Sequence, residues 1–221
     1  MRDHRQLLVH RQKLVQLRTR VKNELQHLAL NQGMQRKRKL WTVQGRAELE
    51  SLSLERWAAQ RRGDLLQILA MLEEQIESLN QAVAQVADSY PEAQLLRTQP
   101  GVGPVTALAF LLTIGDVGRF ARSKQVASYL DLIPRERSSG DKQRMGAISK
   151  PGHRLLRTLL VEAAQSAIRF DPEFRKAYLH RCHRKHHAVA KVAAARKLAV
   201  RPYWMLRTRT PYSDPFTTRA A

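Results

Sequence analysis

The sequence predicts an all-α protein: a long antiparallel coiled-coil arm followed by a compact helical domain that carries a helix-hairpin-helix element. Three observations predict it. Leu65, Leu69, Leu72, Ile76, Leu79, Val83 and Val86 alternate steps of four and three residues, which is the spacing of a coiled-coil seam. From Val105 onward, apolar segments of helical period recur, two of them opening on a capping residue followed by proline. No segment reads as a run of alternating strands, and 43% hydrophobic residues in a chain of 221 suffice to bury a core.

Along the chain, Leu14, Leu17, Val21, Leu25 and Leu28 mark a first amphipathic helix able to pair with the 65–86 seam. Between them, residues 33–63 hold the basic run Arg36–Lys39 and Trp41, either a solvated connection or a phosphate contact at the tip of the arm. Asp88-Ser89-Tyr90-Pro91 should end the arm, because proline and its predecessor disfavour helix. The expected domains are therefore residues 1–90, residues 91–210 and a frayed tail, 211–221. Within the second, helices are expected over 105–114, 123–130, 151–170, 172–187 and 188–206. Ser149 should cap the third and Asp171 the fourth, and Pro202 should kink or end the last.

The charge is +20, from 39 Lys and Arg against 19 Asp and Glu. Its distribution is uneven: 15 basic against 5 acidic residues over 1–63, 1 against 7 over 64–118, and 23 against 7 over 119–221. Such a charge repels itself in an isolated globule, so a polyanionic partner is the simplest explanation, nucleic acid ahead of an anionic membrane surface. One cysteine, Cys182, excludes an intrachain disulfide scaffold and suits a reducing cytoplasm. The polar N-terminus lacks the look of a signal peptide, and no apolar run approaches membrane-spanning length, so a soluble, nucleoid-associated protein is expected.

Three motifs bear on chemistry. In Gln99-Pro100-Gly101-Val102-Gly103-Pro104, followed by Thr106 and an apolar helix, paired glycines let backbone amides approach a phosphate at a helix start. The element resembles the hairpin of helix-hairpin-helix modules, which hold the DNA backbone without reading bases; the plainer reading is a glycine turn between helices. In the loop from Pro134 to Arg154, Ser138 and Ser139 stand among Arg135, Arg137, Lys142, Arg144 and Lys150, with His153 and Arg154 following. This offers a hydroxyl nucleophile within a phosphate-binding cluster, or a phosphate-binding loop without chemistry; only His153 or Asp141 is placed to act as a base. The Ser139-Gly140-Asp141-Lys142 match to penicillin-binding enzymes is discounted, since the companion motifs are missing. Third, His180, Cys182, His183, His186 and His187 suggest a metal, His183 and His187 being one helical turn apart, but the interspersed cations favour a solvated basic helix end and no metal site is assigned. Lys191, Arg196 and Lys197, on one side of an alanine-rich helix, are available to phosphates.

The order of these motifs resembles the C-terminal part of the IS-one-ten family of insertion-sequence transposases, the bridge-RNA-guided recombinases. The resemblance rests on Pro-Gly-Val-Gly-Pro, Gly-Arg-Phe, Ala-Ser-Tyr-Leu-Asp-Leu-Ile-Pro-Arg, Ser-Ser-Gly, Ile-Ser-Lys-Pro-Gly-His-Arg-Leu-Leu-Arg and Ala-Arg-Lys-Leu-Ala. It reaches to about Arg209 and is most specific over 100–157. It implies DNA transposition through a covalent serine–DNA intermediate, with Ser139 as the nucleophile and Ser138 as the fallback. It also implies magnesium held by an RNase H-like acidic domain, a guide RNA, and a homo-oligomer or a mixed oligomer with a full-length transposase through the coiled coil. The sequence begins at the coiled coil, and Asp116, Asp131, Asp141 and Glu162 are too scattered to replace the family's four acids. The expectation is thus a truncated transposase that supplies serine, DNA contacts and oligomer contacts, with no cofactor of its own. Two other readings are a catalytically inactive DNA-binding remnant or regulator, and a coiled-coil RNA-binding scaffold.

Overall fold

The computed structural model describes residues 1–36, 39–136, 145–148 and 153–212. Among them are nine α-helices and one two-stranded antiparallel ladder, so the all-α expectation holds. None of these helices is long and apolar enough to cross a membrane. The chain forms two compact units, Val9–Gln81 and Met1–Leu8 with Ala82–Ala221.

In the first unit, α1 (Arg2–Asn31, of which residues from Val9 belong here) and α3 (Arg56–Asp88, up to Gln81) run antiparallel, with α2 (Val43–Ser51) in the connection. The direction follows from the pairs: Arg11 Nε donates to Asn80 Oδ1 at 2.6 Å, Lys22 Nζ lies 2.8 Å from Glu73, and Arg61 lies 3.5 Å from Glu24. Leu14 packs with Leu72 and Ile76, and Leu25 and Ala29 with Leu65 and Leu69, so the first four seam residues are buried as their spacing predicts. Glu73 is held below the usual carboxylate range: burial pushes it up, but Lys22 and Arg46 outweigh that. The connection contains a helix that sequence reading leaves unassigned. Thr42 caps it by accepting from the Gly45 amide, and Arg62 Nη1 donates to the carbonyls of Leu49, in the last turn of this helix, and Leu52, its C-cap. Arg36 makes a bidentate pair with Glu48 at 2.7 Å, which satisfies the first residue of the basic run internally; Lys37 and Arg38 lie outside the described residues.

The second unit is built on α4 (Pro91–Arg97), α5 (Pro104–Ile114), α6 (Ser123–Tyr129), α7 (Arg154–Phe170), α8 (Pro172–Arg184) and α9 (His187–Thr208). Helix α5 is apolar nearly all round and is buried accordingly, Ala107, Leu108, Ala109, Phe110, Leu112 and Ile114 all lying in the core. Arg5, before the unit boundary in α1, donates to the Leu112 carbonyl at 3.0 and 2.6 Å, placing a cation at the C-terminal end of α5. Helices α7 and α9 present small residues to the core, Ala163, Ala164 and Ala167 on one and Ala190, Ala194, Ala195 and Ala199 on the other, which lets helix backbones approach closely.

Several expectations are corrected. A short ladder does exist: β1 (Pro134–Glu136) pairs with β2 (Met145–Ile148), Pro134 opposite Ile148 and Glu136 opposite Met145. Two strands of this length are too short to show an alternating pattern. Helix α7 starts at Arg154 with His153 as N-cap, three residues later than expected; Ser149, the expected cap, lies outside the described residues. The 172–187 segment stops at Arg184, where Lys185 turns extended. Of the two effects expected of Pro202, a kink or an end, the end does not occur: α9 runs on to Thr208. The N–H that the proline lacks is one bond among many, and the residues beside it are held from outside the helix, Arg201 by Asp171 and Tyr203 by the Phe120 carbonyl. The tail is not free at its start either: the Tyr212 amide donates to Thr98 Oγ1 at 2.9 Å and its hydroxyl to Asp171 at 2.9 Å.

Asp171 is the hub of that contact. It caps α8, as its place before Pro172 predicts, by accepting from the Phe174 amide at 2.8 Å, and it also takes Arg201 at 2.8 Å. Burial pushes its carboxyl up, but the bonds from Arg201, the Phe174 amide and Tyr212 prevail and hold it below the usual range. A group lowered on folding stabilises the fold above its unfolded pKa, about 3.9, and loses that contribution as pH falls through the folded value. Asp171→Ala should therefore cost about 2–4 kcal/mol near neutral pH. In denaturant unfolding the gap to the parent should narrow once pH drops below about 4; a gap independent of pH would contradict the ion-pair account.

Gly101 supplies a second test. It has φ +86°, and a Cβ there would sit 2.3 Å from the Ala163 carbonyl oxygen and 2.8 Å from the Ala167 nitrogen, both backbone atoms of α7. A Cβ at Gly103 would meet nothing within 4 Å. Gly101→Ala should destabilise by about 3 kcal/mol or more and Gly103→Ala by less than about 1 kcal/mol, read from urea midpoints. Equal costs would disprove the close approach.

Candidate nucleic-acid interface

The hairpin between α4 and α5 is a tight turn in which the Val102 amide donates to the Gln99 carbonyl at 3.0 Å. Pro100, Gly101, Val102 and Gly103 divide their roles in a way that sequence alone does not separate. Gly101 turns its backbone onto α7, Val102 is 5% exposed in the core, and Thr106 is 8% exposed. The side chains of Val102 and Thr106 therefore pack, and their expected part in binding falls to backbone. Gly103 is exposed at the N-cap of α5, where Pro104 has no amide hydrogen and the first-turn amides have no carbonyl four residues earlier.

The second candidate element is the loop that holds the serines. Arg137, Ser138, Ser139, Lys142, Arg144 and Lys150 lie outside the described residues, and so does Asp141; the structure describes the base from which they spring. On the entering side, α6 ends in a complete Schellman motif. The Leu132 amide donates to the Ala127 carbonyl at 3.0 Å, the Asp131 amide to the Ser128 carbonyl at 2.9 Å, and Asp131 takes the left-handed conformation at φ +53°. The buried Asp131 carboxylate lies 3.5 Å from Arg157 Nη1 on the first turns of α7, which ties the entering strand to the helix that receives the loop. The Tyr129 and His153 rings, 5.7 Å apart, make a second tie between the same two sides. Glu136 and Met145 are thus paired on the ladder.

Of the expected cations here, Arg135 on β1 and Arg154 at the start of α7 are exposed, as is His153. The contact of Gly101 with Ala163 and the exposed Arg154 are nine residues apart on α7, about 14 Å along one rigid helix. The structure brings these two candidate elements onto one support. It does not do so for α9. Lys191, Arg196 and Lys197 project roughly 100° to 140° from one another around the helix, so they do not form the expected single basic side; Lys197 is exposed and the other two are half-buried.

The histidines are likewise separated. His183 closes α8 and His187 opens α9 across the break at Lys185, so they are not one turn apart on one helix. His186 caps α9 by accepting from the Ala188 amide, and Cys182 hydrogen-bonds Tyr178, raising the pKa of its hydroxyl. No group of three or more His, Cys, Asp or Glu among the described residues is placed to hold a metal ion. Asp116 accepts from the Gly118 amide, Asp131 faces Arg157, and Glu162 is exposed on α7. These carboxylates do not fit the magnesium that the family resemblance implies. Sequence reading gives neither Asp131 nor Arg157 a part in holding the loop; the available signal was a polar residue just past a helix end, where a left-handed residue is common.

Comparison with known proteins agrees with the resemblance. The family model for transposases of the IS116/IS110/IS902 family matches residues 93–179, which run from α4 through the hairpin and the serine loop into α8. The chain is 37% identical over 97 residues to the transposase of insertion sequence element IS1111A from Coxiella burnetii, covering 44% of this chain and 27% of that protein. It is 32% identical over 170 residues to a probable family 20 transposase from Pseudomonas aeruginosa, covering 72% and 48%. To the transposase of element IS1328 from Yersinia enterocolitica it is 28% identical over 204 residues, covering 90% and 61%. The chain thus spans a quarter to a half of the length of the first two. With the hairpin, the loop base and the receiving helix all inside the matched stretch, the chain belongs to the IS116/IS110/IS902 family of transposases.

Proposed function

We propose that this chain handles DNA in transposition: it grips the phosphate backbone without reading bases and presents Ser139 as the nucleophile for strand exchange. The observation that carries the reading is the family match over residues 93–179, which takes in both the hairpin and the Pro-Arg…Ser-Ser-Gly loop. The doubly tied base of that loop supports it, since a nucleophile must be delivered at a defined angle to phosphorus. In the reaction the serine Oγ–P bond forms as the bond from phosphorus to a deoxyribose ester oxygen breaks. The serine proton leaves for the departing oxygen, so the number of phosphoester bonds is conserved and rejoining needs no energy source. Exposed Arg135 and Arg154 would offset charge on the phosphate oxygens. Magnesium, a guide RNA and pairing of copies through the antiparallel helices of residues 9–81 are further parts of the proposal, with magnesium held outside these 221 residues.

The test mixes the chain with a polypeptide bearing the family's acidic segment, magnesium and nicked element-end DNA. A denaturation-resistant protein–DNA adduct should form. Ser139→Ala should abolish it while leaving duplex binding within about twofold; an adduct that survives in Ser139→Ala but not in Ser138→Ala moves the role one residue. No adduct with the parent chain, alongside salt-sensitive duplex binding, favours the second reading, a regulator that binds DNA and forms mixed oligomers. Binding should weaken steeply with salt, as log K against log salt, because counterions are released; structured RNA held in strong preference to duplex DNA would instead support an RNA scaffold.

A further inference from the structure

The Gly118-Arg119-Phe120 segment is part of the family resemblance and lies outside both the hairpin and the serine loop. It forms a short 3-10 turn, Val117–Arg119, capped by Asp116 and followed by Phe120, which is 7% exposed. That turn is held with care. The Phe120 carbonyl accepts from the Tyr203 hydroxyl at 3.0 Å and from Arg207 Nη1 at 3.0 Å, and Arg207 also donates to the Tyr203 hydroxyl at 2.6 Å. All three donors lie on α9, and their effect is to hold Phe120, the neighbour of Arg119, in place.

The guanidinium carbon of Arg119 lies 4.5 Å from the centre of the Phe120 ring and 4.6 Å from that of Tyr129. The two rings meet edge to face at 5.5 Å, so the guanidinium occupies the corner between them. Contact with both rings holds the guanidinium at this corner. Arg119 is exposed, and no carboxylate or carbonyl among the described residues takes its N–H donors. The nearest acid in sequence, Asp116, faces the Gly118 amide at 2.8 Å. Tyr129 is 38% exposed and leads on to His153 at the foot of the serine loop.

We infer that Arg119, braced on Phe120 and Tyr129, with His153 on the far contact of Tyr129, is a binding site for one phosphodiester of a DNA strand. A carboxylate ligand would fit the fork equally, but the cluster offers donors and positive charge with no group to read a side chain or a base. Contact should thus be to phosphate oxygens and indifferent to sequence. This inference rests on the reading of the chain as a binder of DNA phosphates, not on the serine chemistry.

The experiment uses the full chain and two unrelated short duplexes, with affinity measured across a salt series. Arg119→Met keeps the packing stem and removes the charge: it should weaken both duplexes by about tenfold at moderate salt and lower the slope of log K against log salt by about one, with the unfolding midpoint unchanged. Arg119→Lys retains the charge without the fork and should keep the slope while losing about threefold or more in affinity. Unchanged slope and affinity in a folded Arg119→Met overturn the site. Should Arg119→Met unfold, Arg119→Lys decides alone, and parental affinity there also overturns it. If the parent chain shows no salt-dependent duplex binding, the DNA reading falls and takes this site with it, an outcome distinct from the Arg119 variants behaving as the parent.

Discussion

The Gly101 backbone lies against the Ala163 carbonyl with no room for a side chain between them, and the arrangement of the matched region depends on that contact. A turn is usually placed by the helices on either side of it. Here the turn itself is pinned to a third helix, because a glycine at φ +86° meets a face of α7 lined by Ala163, Ala164 and Ala167. The hairpin at the start of α5 thereby takes its position from α7. The same α7 receives the serine loop at its N-terminus and carries Arg157 to Asp131. One helix with a small-residue face therefore sets the relation between the two elements that sequence reading assigns to DNA.

Charge is organised around that frame in a consistent way. Three acids of the second unit are engaged by its own groups: Asp171 caps α8 and holds Arg201 and Tyr212, Asp131 faces Arg157, and Asp116 caps the turn before Arg119, while Glu92, Glu162 and Glu173 are exposed. Exposed cations such as Arg119, Arg135, Arg154 and Lys197 are left with their charge directed to solvent. These three carboxylates stabilise the fold, and an excess of positive charge is left at the surface. In residues 9–81 the pattern differs, with Arg36, Lys22 and Arg46 paired to Glu48 and Glu73. There the basic count overstates the charge free to meet phosphate.

Much of the helical architecture was legible because it is written in local patterns. The seam from Leu65 to Ile76 is buried as its spacing requires, Asp171 caps where Asp-Pro says it should, and the apolar run of α5 is interior. Other expectations met competition from contacts distant in sequence. Pro202 is a strong local signal for a helix end, yet α9 continues because Arg201 and Tyr203 are held from other elements. Tyr212 looks like part of a loose tail, but its ring, hydroxyl and amide all find partners in the folded unit. The β1–β2 ladder and α2 are too short for periodicity to reveal.

By itself, the sequence determined the helical class, the basic character, the family and the residue types offered for phosphate chemistry, since each is carried by neighbours in the chain or by ordered motifs. It could not divide Gly101 from Gly103, because both read as turn glycines and only the proximity of α7 makes one of them indispensable. Nor could it single out Arg119 among 39 basic residues. That distinction comes from Phe120, Tyr129, Tyr203 and Arg207, brought to one corner by α6 and α9. The ring against which the Arg119 guanidinium rests is held by packing between segments more than 80 residues apart.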